Sequence, residues 1–229
     1  MEVILSVNDG EWNRWGDQFV KAQPASRKQL LMAAHPTVDQ AKKNLIDAAR
    51  AAGKGGRLIV SVGHGGTVAN STVDGMVDLA AGGVLRLGGL NAKVPPNFVS
   101  VFYDVNFTGP PSMSDMDHDL KFAPNAPRLK SWRVYQEISG AFKQTGLYEI
   151  VLLSCNVGNS TDFVKKMAND WGCIVRAYKV KVGIDRNPPR FKVFLVNRAP
   201  PYPTAAETIL HEEYLPFSPP DTLLVGPPL

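Results

Sequence analysis

Arg57-Leu58-Ile59-Val60-Ser61-Val62-Gly63-His64-Gly65-Gly66 reads as one buried strand that runs into a glycine-rich turn carrying an imidazole. The run 57–62 is nearly continuous in apolar residues, the pattern of a strand covered on both faces in a parallel sheet. Tyr148-Glu149-Ile150-Val151-Leu152-Leu153 repeats that pattern and ends in Ser154-Cys155-Asn156-Val157-Gly158. Helical spacing precedes and follows these runs. Strands that alternate with helices predict an α/β domain with a mainly parallel central sheet and helices on both faces.

Working outward, 2–7 alternates as a strand, Asn8-Asp9-Gly10 is a turn, and 12–20 reads as a short helix. Val38, Ala41, Leu45, Ala48 and Ala49 recur at helical spacing, with Thr37 as N-cap and Gly53 past the end. After the glycine loop, Asn70-Ser71-Thr72 predicts the cap of a helix through Val73, Val77, Leu79 and Ala80. The next buried strand is expected over 98–103, followed by a long aperiodic loop over 104–127. Trp132, Tyr135, Ile138 and Phe142 predict a helix over 129–143, and Phe163, Val164, Met167, Ala168 and Trp171 predict another after Asn159-Ser160-Thr161. Strands are expected at 173–182 and 191–196. Beyond Asn197 the composition turns Pro-rich, with room for one short helix over 205–214. The expected organisation is a single domain over 1–197 and a tail over 198–229 that wraps the domain or stays mobile.

A chain of 229 residues, 44% hydrophobic, can bury one substantial core. Its apolar runs are strand-sized, so no membrane span is expected. Met1-Glu2-Val3-Ile4-Leu5 lacks a basic region followed by a long apolar one, so no signal peptide is read and a reducing, cytoplasmic setting is expected. The net charge of +4 is spread among mixed charges with no long basic block, which argues against a nucleic-acid partner. Cys155 and Cys173 are too few for a disulfide framework or a cysteine-rich zinc site.

His64 and Cys155 each stand just after a buried strand and before a helix. In parallel sheets, ligand sites gather beyond the carboxyl ends of the strands. A thiol attacks an acyl carbonyl as thiolate and needs a base to take its proton, work suited to an imidazole. His64 is therefore the expected base and Cys155 the expected nucleophile. The N–H groups of Gly65 and Cys155 are the candidate oxyanion donors. That chemistry requires neither a metal nor an organic cofactor.

Strand-His-Gly, then strand-Ser-Cys-Asn-Val-Gly, then Phe163-Val164-Lys165-Lys166-Met167-Ala168 and a strand into Val175-Arg176-Ala177-Tyr178 resembles the caspase/gingipain/CHAT group of cysteine peptidases. The likeness spans 57–182 and is strongest over 149–183, where it is similar to bacterial toxin self-processing and CHAT-type domains. The resemblance implies a caspase-like three-layer α/β sandwich, a His–Cys dyad without an obligatory third member, and hydrolysis of a protein or peptide substrate. It carries over to Gly63, His64, Gly65 and Cys155. A catalytically silent binding or effector module of the same fold is the alternative. In this group the strand after the Cys helix contributes to the specificity pocket, which offers Arg176, Tyr178 and Lys179 here. Arg176 in such a pocket would favour an acidic substrate side chain, and the competing reading turns it to solvent.

Asp104 follows the strand expected at 98–103 and is either a third candidate at the site, orienting His64 or binding substrate, or an ordinary strand terminator. Cys173 reads as core filling. Ser114-Asp115-Met116-Asp117-His118-Asp119 has the donor types of a cation site, but its spacing matches no metal loop and it reads as a solvated acidic segment. His35 and His211 read as surface residues. A dinucleotide fingerprint on the glycine loop would need glycine where Val68 stands.

Overall fold

The structure is a computed structural model that describes residues 1–66, 73–81, 84–90, 101–103, 127–159, 161–179, 181–184, 193–196, 209–211 and 222–226. In chain order these form β1 (Glu2–Val7), α1 (Gly10–Ala22), β2 (Arg27–Met32), α2 (Val38–Ala52), β3 (Arg57–Ser61), β4 (Gly65–Gly66), β5 (Val73–Asp78), β6 (Arg86–Leu90) and β7 (Val101–Tyr103). There follow α3 (Pro127–Thr145), β8 (Glu149–Leu152), α4 (Thr161–Trp171), β9 (Ile174–Tyr178), β10 (Lys181–Ile184), β11 (Val193–Val196), β12 (Ile209–His211) and β13 (Thr222–Val225).

The central sheet runs β13-β9-β8-β3-β1-β2, with β2, β1, β3, β8 and β9 parallel and β13 antiparallel at the edge. Its core strands are apolar on both faces. On one side Val3, Leu5, Leu58, Val60, Ile150, Leu152 and Val175 pack against Ala41, Leu45 and Ala48 of α2, Ile138 and Phe142 of α3, and Val164, Met167 and Trp171 of α4. On the other side Ile4, Ile59, Val151, Leu153 and Tyr178 meet Phe19 of α1. Each fully buried Leu, Ile or Phe contributes roughly 1.5–3 kcal/mol, so this two-sided burial outweighs any local propensity in setting the fold.

The helix ends follow their sequence signals. Thr37 and Gln40 form a capping box at the start of α2, and Gly53 at φ +72° ends it. Asp9 accepts from the Trp12 N–H to start α1. Gly16 lets α1 lie close on the sheet, because a Cβ there would sit 2.2 Å from Gln29 Nε2 and 2.8 Å from Ser6 Oγ.

The sheet order β2-β1-β3-β8-β9 is doubly wound, and its direction of growth reverses between β1 and β3. The reversal opens the carboxyl end of the sheet at β3, where His64 follows. At the amino end, parallel register places Glu2 beside Arg27 and Arg57, and Arg57 beside Glu149. Arg27 Nε donates to Glu2 Oε2 at 2.8 Å, Arg57 Nη1 to Glu2 Oε1 at 2.6 Å, Arg57 Nε to Glu149, and Arg176 Nε to Glu149 Oε1 at 2.7 Å. The result is a charge ladder across the amino-end rows of the sheet.

Several expectations are corrected. The helix expected through Val73, Val77, Leu79 and Ala80 is instead β5, paired antiparallel with β4 and β6 in a separate sheet β4-β5-β6-β7. β-branched Val73 and Val77 flank Gly75, a composition that disfavours a helix interior, and the antiparallel pairing with β4 and β6 decides for the strand. Of the strand expected over 98–103, 101–103 form β7 at the edge of that second sheet, outside the central one; 98–100 lie outside the described residues. The strand expected over 173–182 divides into β9 in the central sheet and β10 in a third sheet, β10-β11-β12. The helix expected over 205–214 meets β12 at 209–211, and β13 brings 222–225 of the Pro-rich tail into the central sheet. β2 was not expected at all.

Candidate functional site

β3 and β8 are adjacent and in register from Arg57↔Glu149 to Val60↔Leu152, and the Leu153 N–H donates to Val60 O at 3.0 Å. The two chains therefore leave the sheet at the same level, and their loops meet. Ser154 Oγ donates to Gly63 O at 3.1 Å. A Cβ on Gly65 would lie 2.4 Å from Val157 Cγ2, 2.8 Å from Cys155 O and 2.9 Å from Ser154 Cβ, so only glycine permits this approach. The loops that carry His64 and Cys155 are thus in direct contact.

Asn156 takes φ +60°, the left-handed conformation that asparagine tolerates better than most residues, and turns the chain sharply after Cys155. A short 3₁₀ turn at Val157–Asn159 then leads to α4. Gly158 fits under the end of β9, where a Cβ would be 2.8 Å from Ala177 O, and Asn159 Nδ2 donates to Lys179 O at 2.7 Å. Cys155 is half-buried, and its Sγ accepts from the Val182 N–H at 3.4 Å and lies 3.7 Å from Val182 O.

His64 is exposed, with its ring edge-on to Trp12 of α1 at 6.5 Å between centroids. Its main chain is held at both polar atoms by one residue: Asp78 N donates to His64 O at 2.7 Å, and His64 N donates to Asp78 Oδ2 at 3.3 Å. The hydrogen bond from Asp78 N to His64 O makes Gly65 and Val77 a non-hydrogen-bonded pair, which directs the Gly65 N–H away from β5. No hydrogen bond joins the imidazole to the thiol. The two groups sit on touching loops, one turned to Trp12 and the other to Val182.

The remaining candidates are not gathered here. Arg176 is buried and committed to Glu149 in the amino-end ladder, which corrects its expected place in a substrate pocket. Tyr178 is also buried, packed with Ile4, Phe19 and Leu153, and burial first, then the nearby Glu149 charge, raises its phenol above the ordinary range against the opposing pull of Arg176. Asp104 and His118 lie outside the described residues, as do the side chain of His211 and the 104–126 part of the expected loop. His35 is exposed. Cys173 is 3% exposed, and its thiol is pushed up to about 12 by burial and then by Glu149, which makes it inert core filling.

Asp78 is the residue the sequence reading missed. It is 3% exposed, and Arg86, its cross-strand partner, donates from Nε to Oδ1 at 2.6 Å and from Nη2 to Oδ2 at 3.5 Å. The signal for it was a pair of β-strands after the glycine loop, hidden by helical spacing. Among the described residues no cluster of three or more His, Cys, Asp or Glu could hold a metal ion, and no helix is long and apolar enough to cross a membrane. Comparisons with known protein families, curated proteins and solved structures give no match.

Proposed function

We propose that this chain is a cysteine peptidase of caspase-like fold, acting on a protein or peptide substrate through His64 and Cys155. The observation that carries the reading is the contact between the loops after β3 and β8, made by Ser154 Oγ on Gly63 O and by the bare Cα of Gly65 against Cys155 O. His64 takes the proton of Cys155 Sγ, and the thiolate adds to the scissile carbonyl carbon. The oxyanion faces the N–H groups of Gly65 and Cys155. The C–N bond breaks as His64 returns the proton to the amine, leaving a thioester on Cys155. Water then gives a proton to His64 and adds to the thioester, releasing the acid and restoring the thiol.

The resting contacts of both groups must break first. A thiol is a weak hydrogen-bond donor and acceptor, so leaving Val182 costs little. A positioned general base contributes about 10²–10⁴-fold, or roughly 3–5 kcal/mol, which is ample to offset it. A second reading is supported by the same contacts: a binding or effector module that keeps the fold without turnover, its thiol held on the Val182 main chain.

The test sets Cys155→Ala and His64→Ala against the parent chain, with an electrophilic peptide probe and a peptide library. Probe labelling and cleavage present in the parent and lost in both variants are expected. Labelling that persists in Cys155→Ala excludes this nucleophile. Parent protein that labels but cleaves no peptide favours the silent module.

A further inference from the structure

We infer that Asp78 and Arg86 are positioning residues for His64: the second sheet holds the base-bearing loop by its main chain, through one buried carboxylate. This inference rests on the dyad reading above and adds to it a pair of residues from a sheet outside the central one.

Three features converge on Asp78. Its backbone N–H and its Oδ2 take both main-chain polar atoms of His64, at 2.7 Å and 3.3 Å. Gly63 lies against its side chain so closely that a Cβ there would be 2.4 Å from Asp78 Cβ. Arg86 holds both carboxylate oxygens across the β5–β6 pair. Because a buried carboxylate is costly without a partner, Arg86 is what permits an ionised group behind the loop. The carboxylate does not reach the imidazole. It acts on the base through the backbone, by setting where the His64 Cα sits relative to Trp12 on one side and the Cys155 turn on the other.

The geometry also explains why the glycine loop has glycine on both sides of the histidine. Gly63 is packed on Asp78 of the second sheet, and Gly65 is packed on Cys155 and Val157 of the central domain. His64 sits at the only one of the three positions that is exposed. The clamp and the dyad contact therefore grip opposite sides of one residue.

The experiment uses the full chain as parent, Asp78→Asn, Arg86→Lys and His64→Ala, with two readouts. The first is amide hydrogen exchange at His64, read by NMR. Asp78→Asn is expected to raise it about tenfold or more, with β1 and β3 amides unchanged, as local opening without global unfolding requires. The second is the rate of Cys155 alkylation by iodoacetamide between pH 5.5 and 9, where the thiolate reacts. Asp78→Asn is expected to lower the rate at the acidic end about fivefold or more relative to the alkaline end, in the direction of His64→Ala, because a displaced base no longer supports the thiolate. Arg86→Lys, which keeps a cation beside Asp78, is expected to retain most of both properties. It also reports should Asp78→Asn fail to fold: exchange and alkylation profile in Arg86→Lys are then compared with Arg86→Gln, which is expected to lose both.

Unchanged His64 exchange in Asp78→Asn overturns the clamp. Faster exchange with an unchanged alkylation profile reduces Asp78 to a purely structural role and overturns the inference. A parent profile indifferent to His64→Ala overturns the dyad reading, and with it any positioning for chemistry, while the exchange result still decides whether the carboxylate holds the loop.

Discussion

The two ends of the central sheet treat their polar side chains in opposite ways. At the amino end, Arg27, Glu2, Arg57, Glu149 and Arg176 satisfy one another in a single ladder, and Cys173 beside them is sealed with its thiol protonated. At the carboxyl end, His64 is exposed, Cys155 is half-buried with its Sγ on the Val182 main chain, and the loops that bear them touch. Both ends carry charge or nucleophile. What differs is whether the groups are paired with each other. The closed network ties its charges to one another, while His64 and Cys155 make no hydrogen bond to each other.

Glu149→Gln is the harshest test of the closed end. The Glu149 side chain is 1% exposed and is the partner of both Arg57 and Arg176. Removing its charge leaves the buried Arg176 without its carboxylate, a loss of about 3–5 kcal/mol by the rule for broken buried pairs. Urea unfolding is expected to show that loss. Cys155 lies beyond the far end of β8, past a strand length of about 10 Å at about 3.3 Å per residue, so the alkylation rate of the folded fraction is expected to stay at the parent value. A loss under about 1 kcal/mol would mean that the ladder is no more than a set of surface pairs.

Gly65→Ala probes the open end. The new methyl would have to displace Val157 Cγ2 and the Cys155 carbonyl, and the latter belongs to backbone fixed by the β8 end and by Asn156. Overpacking of this kind costs about 1–3 kcal/mol. Under the proposed function, pushing the loops apart by about 1 Å is expected to cost up to about a hundredfold in a reaction that depends on alignment, or about 2.7 kcal/mol, comparable with the folding cost. Peptide-probe labelling of the folded protein is expected to fall at least tenfold, beside a shift in the urea midpoint that matches the loss of about 1–3 kcal/mol. A variant that loses stability but labels at the parent rate breaks the link between loop contact and reactivity.

What the sequence revealed depended on how local the cause was. β3 and β8 were legible because strands buried on both faces are nearly continuous in apolar residues, and β1 was legible by its alternation. Thr37 and Gly53 marked α2 because caps act within one turn. β2 was missed: Arg27 and Gln29 look like surface residues until Glu2 and Ser6, over twenty positions away, accept their hydrogen bonds. β5 was misread because Val73, Val77 and Ala80 also fit a helical face, and only pairing with β4 and β6 separates the two. The site divides in the same way. His64 and Cys155 were legible as residues just past strands. Arg176 was read either for a substrate pocket or as turned to solvent, and neither reading foresees that, beside Val151 in register, its buried side chain reaches back to Glu149. Asp78 was out of reach because its role exists only once β5 exists.

The two cysteines give the finest form of the comparison, read through pH. Burial, and then the charge of Glu149, raises the Cys173 thiol from 9.0 to about 12. In the unfolded chain this thiol ionises near its ordinary value, so above pH 9 the unfolded state has released a proton that the folded state still holds. Unfolding then becomes easier as pH rises: the contribution is intact below about pH 9 and is lost progressively towards about pH 12. Once the unfolded thiol is ionised, the slope for one group is about 1.4 kcal/mol per pH unit. Tyr135 and Tyr178, both raised chiefly by burial, push in the same direction at higher pH. Cys173→Ala keeps both tyrosines and Cys155, so their effects cancel when the two chains are compared. Between pH 8 and 10.5 the parent is expected to lose about 1–2 kcal/mol more than Cys173→Ala in urea unfolding. Equal losses would show that Cys173 ionises as freely in the folded chain as in the unfolded one, and the amino end of the sheet would then not be sealed against the thiolate.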